Sequence, residues 1–353
     1  MKKKRLKPLL VSALCSFVAV PLVFDPLLVS GIYEAIFALA GTNEEWMELD
    51  AGDYGLDVER SDFKNKDDAA LAGYKYSKKG QEVKGVVVVA HGLGCGGHNM
   101  FIPYIDFFTS NGYLVFSYDV TGNGNSESWT VEGLPQGVID LDYALKHVKS
   151  LDDYKNLPIF LFGHSWGAFS CGAVLNLHSD IKGVTMVSGF NKSDNLILHQ
   201  SEQRVGIFAK VSVPSVAFYE SVKFGGEYSS LTSLGGFKNT DASILIVHSK
   251  DDNTVPTKYG YDLFYKENAN NERFKFILYN DKGHTDLLYS ENALEYMNGL
   301  ESGYDAYLSD KGASDSKEAR NEYMLANADK KICFEVNPEI ASTALEMFNS
   351  RLK

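Results

Sequence analysis

The sequence predicts an α/β fold, a mostly parallel sheet covered on both faces by helices. Three observations carry that prediction. Short, β-branched apolar runs alternate with stretches of helical spacing, the rhythm of βαβ units. One of these runs passes through a Gly-x-Ser-x-Gly turn directly into a helical pattern. Each residue suited to nucleophilic catalysis follows a predicted strand, where ligands bind in sheets of this kind. The chain of 353 residues is 44% hydrophobic and 23% charged, the balance of a globular protein.

The N-terminus opens on a basic cluster (Lys2, Lys3, Lys4, Arg5, Lys7), and Pro8 to Phe24 then run without a charge. That is the layout of a secretory leader, although a small-x-small cleavage site is missing. Residues 1–40 are read as an uncleaved signal-anchor with the body outside the cytoplasm, on the membrane. A cleaved signal peptide, giving a secreted protein, is the alternative, and a buried helix pair is a third. Leu27 to Ala40, which carries Glu34, has the pattern of an amphipathic or membrane-surface helix. The first forty residues carry a net +3, leaving −15 of the total −12 to the rest. So acidic a body, with no recognisable motif, argues against a nucleic-acid partner. Four scattered cysteines and eight scattered histidines have no metal-ligand spacing, and no cofactor is predicted.

Leu56 to Arg60 and Leu71 to Tyr76 read as a hairpin around a polar turn, Lys64 to Asp68. Gly85 to Ala90 is a buried β-branched strand. Ile102 to Ser110 has helical spacing and stops at Asn111-Gly112; Tyr113 to Tyr118 is a strand and Gly137 to Ser150 a helix. The next strand, Ile159 to Phe162, enters Gly163-His164-Ser165-Trp166-Gly167. Small and apolar residues follow at helical spacing. After strand Gly183 to Ser188 the alternation breaks. Residues 189–240, with Gly225-Gly226 and Gly235-Gly236 as turns and a helical piece at Val216 to Phe224, are too long for an ordinary connection. They read as a cap inserted between two parts of one core, 46–188 and 241–353. The rhythm resumes with strand Ile244 to His248, helix Lys258 to Glu267 and strand Phe274 to Tyr279. Glu301 to Lys331 is charged and without strong periodicity, and a last helix spans Pro338 to Leu352.

A serine hydroxyl attacks only when a base takes its proton, and the base needs an acid to fix its tautomer. Ser165 at the elbow is the candidate nucleophile. His284, on the loop after the last core strand, is the candidate base. The acid should follow the preceding strand, where Asp251 and Asp252 compete. The oxyanion hole would use the N–H of Trp166 and that of Leu93, in the loop His91-Gly92-Leu93-Gly94-Cys95-Gly96-Gly97. That loop lacks the Lys-Ser/Thr ending of a phosphate-binding loop. His91 and His164 read as supporting residues, and Cys95 as a small loop residue.

Four pieces, in order, resemble the α/β-hydrolase superfamily. They are His91-Gly92-Leu93-Gly94, then Asp119-Val-Thr-Gly122-Asn-Gly124-Asn-Ser126, then Gly163 to Gly167, and finally His248 to Pro256 with Gly283-His284. The branch they resemble is that of monoacylglycerol lipases, lysophospholipases and serine aminopeptidases. The resemblance covers roughly Leu71 to Leu288 and implies the α/β-hydrolase fold with a helical cap. It favours Asp252 as the acid, four residues before Pro256, and implies a structural role for Asp119 and Ser126. Asn123, Asn125 and Ser249 depart from the pattern, and Glu301 to Lys331 has no counterpart in it.

The activity so implied is that of a serine hydrolase cleaving carboxylic esters, lipid-like ones such as a monoacylglycerol or lysophospholipid. Apolar cap residues (Leu196, Leu198, Phe208, Phe218, Phe224) would hold the acyl part. The alternatives are a serine aminopeptidase-like enzyme, with Glu202, Glu220 or Glu227 facing Ser165 to bind a free amino terminus, and a catalytically silent binding protein of this fold. Acyl transfer to an alcohol is compatible with the same residues, and the sequence leaves oligomeric state open.

Overall fold

A computed structural model describes residues 29–38, 44–205, 209–312 and 314–352. The apolar run Pro8 to Phe24 and Phe208 lie outside them. No helix among the described residues is long and apolar enough to cross a membrane.

The strands are β1 (Asp57–Arg60), β2 (Phe63–Lys64), β3 (Ala70–Leu71), β4 (Gly73–Ser77), β5 (Gly85–Ala90), β6 (Tyr113–Tyr118), β7 (Ile159–His164), β8 (Gly183–Val187), β9 (Ser243–Ser249) and β10 (Phe274–Tyr279). Eight of them form one sheet in the order β1-β4-β6-β5-β7-β8-β9-β10. From β6 to β10 every pairing is parallel, while β4 pairs antiparallel with both β1 and β6. β1 and β4 do pair in register, Asp57 opposite Ser77. The segment between them, however, folds into a small β2–β3 ribbon where a single polar turn was expected.

The β-branched run of β5 shows why the sheet is covered twice. Val86 and Val88 belong to one hydrophobic core and Val87 and Val89 to the other, as the two-residue period of a strand requires. On the first face lie α3 (Leu134–Ser150) and α4 (Trp166–Val174), and on the second α2 (Ile102–Ser110) and α13 (Pro338–Asn349). α3 begins three residues before the expected Gly137, because Pro135 is accommodated in its first turn, where no N–H is needed.

The remaining helices are α1 (residues 29–37), α5 (Ser193–Val205), α6 (Ala209–Phe224), α7 (Gly226–Ser229), α8 (Ser233–Lys238), α9 (Tyr261–Asn268), α10 (Glu291–Lys311), α11 (Lys317–Asn327) and α12 (Lys330–Cys333). Two expectations are corrected here. Gly235-Gly236 is not a turn but part of α8. A Cβ on Gly236 would sit 2.1 Å from the Gly172 carbonyl of α4, so the glycine permits two helices to touch. Glu301 to Lys331 is not aperiodic chain but the end of α10, α11 and α12. Ser290 and Ser316 cap α10 and α11, and Gly312 ends α10 in the left-handed conformation at φ 58°. These helices bury few residues, among them Leu300, Tyr304 and Met324, which is why their period was faint.

The C-terminal helices hold the segment that precedes β1. The backbone N–H of Trp46 donates to Asn321 on α11 (3.1 Å), and its ring lies 5.8 Å from that of Phe334. Helix α1 is tied to α6. The Tyr33 hydroxyl donates to Glu220 (2.9 Å), Ser193 of α5 donates to the same carboxyl (2.6 Å), and Lys223 pairs with Glu34 (2.6 Å). Burial pushes Glu220 up to about 7, against the pull of those two hydrogen bonds.

Because folding raises this pKa, the folded chain binds the extra proton between the ordinary glutamate value and about 7. Stability from this site is therefore full below that window and is lost as pH rises through it. Glu220→Gln should remove the loss. Its Tm relative to the parent chain, followed by thermal melts from pH 4.5 to 8, should rise with pH and level off above 7. A Tm difference that stays flat with pH would contradict this account.

Candidate active site

Ser165 occupies the junction of β7 and α4 with φ 55° and ψ −116°, a conformation that costs a side-chain-bearing residue about 1–3 kcal/mol. The neighbouring glycines make the turn possible. A Cβ on Gly163 would lie 2.5 Å from the Gly167 carbonyl carbon, and one on Gly167 would lie 2.1 Å from the Ala90 oxygen. The Ser165 N–H continues the ladder by donating to Val187 of β8 (2.8 Å).

The hydroxyl of Ser165 lies 2.8 Å from Nε2 of His284, and Nδ1 of His284 lies 2.7 Å from Oδ2 of Asp252. Nδ1 therefore carries the proton toward the carboxylate, and Nε2 is the lone-pair nitrogen facing the serine. Asp252 is buried, which alone would raise its pKa. Hydrogen bonds from His248 and His284 and the backbone N–H of Val255 overcome this and hold it well below the usual carboxylate range. Its Oδ1 accepts from the N–H groups of Thr254 (2.9 Å) and Val255 (2.8 Å).

Of the two competing aspartates, the structure sets Asp252 against His284 and gives Asp251 different work. Oδ1 of Asp251 accepts from Ser249 Oγ (2.5 Å) and from the N–H of Gly283 (2.9 Å), while Ser249 Oγ accepts from the N–H of Lys282 (2.9 Å). Asp251 thus fastens the turn that delivers His284. The carbonyl of His284 is held from below by His164 Nε2 (2.9 Å) and Ser188 Oγ (3.0 Å). Burial, reinforced by the charge of His284, pushes His164 down to about 3, so it stays neutral.

The N–H groups of Leu93 and Trp166 have no acceptor among the described residues, as a hole for an oxyanion requires. The loop carrying Leu93 is braced by His91, whose Nε2 accepts from Val120 N–H (3.0 Å), leaving Nδ1–H for the Gly92 carbonyl (2.8 Å). Burial drives the Cys95 thiol up to about 11, so it stays protonated beside the serine.

Ser165 and His284 open into a cavity of about 380 Å³. Its apolar wall is made by Met47, Met100, Phe101, Leu288 and Tyr289, and Glu44 and Lys317 also reach it. This corrects the expected acyl pocket. Among the described residues no cap side chain lines the cavity; Phe218 is exposed, and Phe224 is buried against the core instead. Nor do the three cap glutamates line it, since Glu220 is buried with Tyr33 and Ser193. Met47, Met100, Phe101, Leu288 and Tyr289 supply the wall in their place, with Glu44 and, from α11, Lys317 beside them. Sequence reasoning missed these residues, along with His248 and Ser188. The φ of 52° at Ser188, which turns the chain after β8, has no signature in the sequence.

Comparison with known proteins agrees with this fold. The family model described as serine aminopeptidase, S33, matches residues 81–230. The caffeoylshikimate esterase of Arabidopsis thaliana is 41% identical over 88 residues, 24% of this chain and 26% of that protein. The monoglyceride lipase of Rattus norvegicus is 32% identical over 120 residues, 32% of this chain and 38% of that protein. Each match thus spans less than half of the curated relative. A solved esterase of Pyrococcus furiosus superposes with a TM-score of 0.54 at 15% identity, covering 76% of this chain and 98% of that one, a likeness of fold. Elbow and sheet order converge on the α/β-hydrolase fold, and over residues 81–230 the chain is similar to the branch that holds serine aminopeptidase-like and monoglyceride lipase-like proteins.

Proposed function

We propose that the chain is a serine hydrolase that cleaves carboxylic esters through an acyl-enzyme on Ser165. The observation that carries this reading is the continuous relay from Ser165 Oγ through His284 to the ionised Asp252. His284 Nε2 takes the hydroxyl proton as Oγ bonds to the ester carbonyl carbon. The resulting oxyanion is received by the N–H groups of Leu93 and Trp166 at the start of α4, whose dipole favours negative charge. Collapse expels the alcohol, protonated by His284, and a water activated by the same nitrogen then releases the acid.

The apolar wall of Met47, Met100, Phe101, Leu288 and Tyr289 suits an apolar acyl group. This supports an ester of monoacylglycerol or lysophospholipid type. The peptidase reading has one observation in its favour: a carboxylate does reach the cavity, but it belongs to Glu44. That carboxylate already accepts from the indole N–H of Trp46 (2.8 Å), which makes it a weaker anchor for a free amino terminus. The extracytoplasmic, membrane-attached location is read from the basic and apolar leader alone. Protease digestion of the body in intact cells should remove it, and full protection would refute this location.

Ser165→Ala should abolish turnover of 4-nitrophenyl esters by about a millionfold and stop labelling by a fluorophosphonate. Asp252→Asn should cost about 10⁴-fold in kcat. Asp251→Ala, which loosens only the loop, should cost about 10- to 100-fold. Equal losses at the two aspartates would refute the assignment of the acid. Met100→Trp should fill part of the cavity and lower kcat/KM for decanoate by about tenfold or more relative to acetate. Unchanged chain-length preference would place the acyl group elsewhere.

A further inference from the structure

A second and larger cavity, of about 740 Å³, opens beside the first. The two share the loop 93–101 as a wall. Leu93, Gly94, Cys95, Met100 and Phe101 face the catalytic cavity, whereas Gly96, Gly97, His98 and Asn99 face the second. The strip at 44–48 is divided in the same way, with Glu44 and Met47 on one side and Glu48 on the other. Asp119 follows the carboxyl end of β6, and Ser165 follows that of β7, with β5 alone between those strands. At about 4.8 Å per strand the two strands stand about 10 Å apart. The two cavities thus lie side by side at the carboxyl edge of the sheet.

The character of the second groove differs from that of the first. Its floor is backbone and small polar side chains, and its rim carries Trp129, which is 93% exposed. Of the chain's three tryptophans the other two, Trp46 and Trp166, are buried. The loop that presents Trp129 is firmly anchored. Ala70 N–H donates to the Glu127 carboxylate (2.8 Å), Glu127 N–H donates to the Ala70 carbonyl (2.9 Å), and Ser126 Oγ donates to the Asp119 carbonyl (2.5 Å). Ser128, at φ 96°, turns the chain immediately before it. An aromatic ring standing in water on an anchored loop beside a polar groove is a platform without a load.

We propose that this groove is the alcohol-side subsite of the enzyme and takes a polyhydroxylated, sugar-like ring stacked on Trp129. The inference rests on the ester hydrolase reading above. The C–H face of such a ring bears partial positive charge and meets the negative face of the indole. Its hydroxyls would meet the Asn99 amide and the Glu48 carboxylate, whose side chains make no hydrogen bond to other described residues. An organic cation is a poorer fit. Trp129 is the single Phe, Tyr or Trp lining the groove among the described residues, and the His98 ring there is stacked on Tyr74, so there is no cage. The carboxylates of Asp119 and Glu127 are already occupied, by His98 and Asn125 and by Ala70.

The test uses the full chain and two readouts. In Ser165→Ala protein, the exposed Trp129 should report methyl 6-O-butyryl-glucoside as a saturable change in indole emission. Methyl butyrate should cause none, and the further substitution Trp129→Ala should remove the response. In the active chain, Trp129→Ala should lower kcat/KM for the butyryl-glucoside by about tenfold. Turnover of methyl butyrate, whose alcohol has no ring to stack on Trp129, should stay within about twofold. The subsite is overturned by equal effects on both esters, by an emission response that survives loss of Trp129, or by one seen only with tetramethylammonium or phosphatidylcholine vesicles. Saturable binding without turnover of either ester would keep the sugar subsite and overturn the hydrolase reading. Turnover of methyl butyrate with no response to the glucoside would do the reverse.

Discussion

The close approach of three backbone segments at the end of β7 is the constraint on which the rest depends. Gly167 lies so near the Ala90 carbonyl, and Gly163 so near Gly167, that no side chain fits at either position. With β5, β7 and α4 packed that tightly, Ser165 is forced to a positive φ and its hydroxyl projects beyond the sheet. The strain of about 1–3 kcal/mol is sustained by the surroundings, because β7 is wholly buried and hydrogen-bonded on both sides. A looser junction would relax the serine into an ordinary turn and move Oγ away from His284.

The same construction is repeated across the sheet. Beyond its own strand, each functional turn is clamped by one hydrogen bond to the next strand. Ser165 N–H reaches Val187, Ser188 N–H reaches Val247, and Lys250 N–H reaches Tyr279. The register of the four parallel strands β7 to β10 therefore sets the relative positions of Ser165, the residue under His284, and the Asp252 loop. Electrostatics completes what register begins. A buried carboxylate is costly unless it is paired, and Asp252 receives Thr254 N–H, Val255 N–H, His248 and His284. An ionised acid in that position fixes the His284 tautomer and, in the mechanism proposed above, would favour the imidazolium formed as Ser165 gives up its proton.

What the sequence disclosed follows from this division. β5, β7 and β9 were legible because burial on both faces forces continuous apolar runs, and the elbow because close approach forces glycine. Asp252 and His284 were legible by their place after successive strands, although the choice between Asp251 and Asp252 needed a family resemblance. The cavity wall was not legible. Met47 and Lys317 are separated by most of the chain, and nothing in either neighbourhood marks it as facing Ser165. α10 and α11 escaped notice because they lean on the body along a narrow seam. Their capping serines Ser290 and Ser316 were the available signals, and a serine before a charged stretch is too common to stand alone. Gly235-Gly236 misled for the converse reason: glycine serves close helix packing as well as turns, and only the neighbour across the contact tells the two apart.

The wall's origin also bears on how this chain acquires selectivity. In a sheet of this topology the reacting residues are fixed by strand register, so variation must come from what is laid over the carboxyl edge. The insertion after β8 would be the expected place, yet its described side chains leave the Ser165 cavity untouched and pack instead on α1, α3 and α4. Part of the cavity wall is the strip at 44–47, which α11 grips through Asn321 and whose Trp46 ring lies against Phe334. A short strip near the start of the described chain, pinned by a helix near its end, thus contributes to the shape around Ser165. Substitutions that loosen that grip would change which ester fits while leaving the relay of Ser165, His284 and Asp252 intact, because no hydrogen bond of the relay passes through either segment.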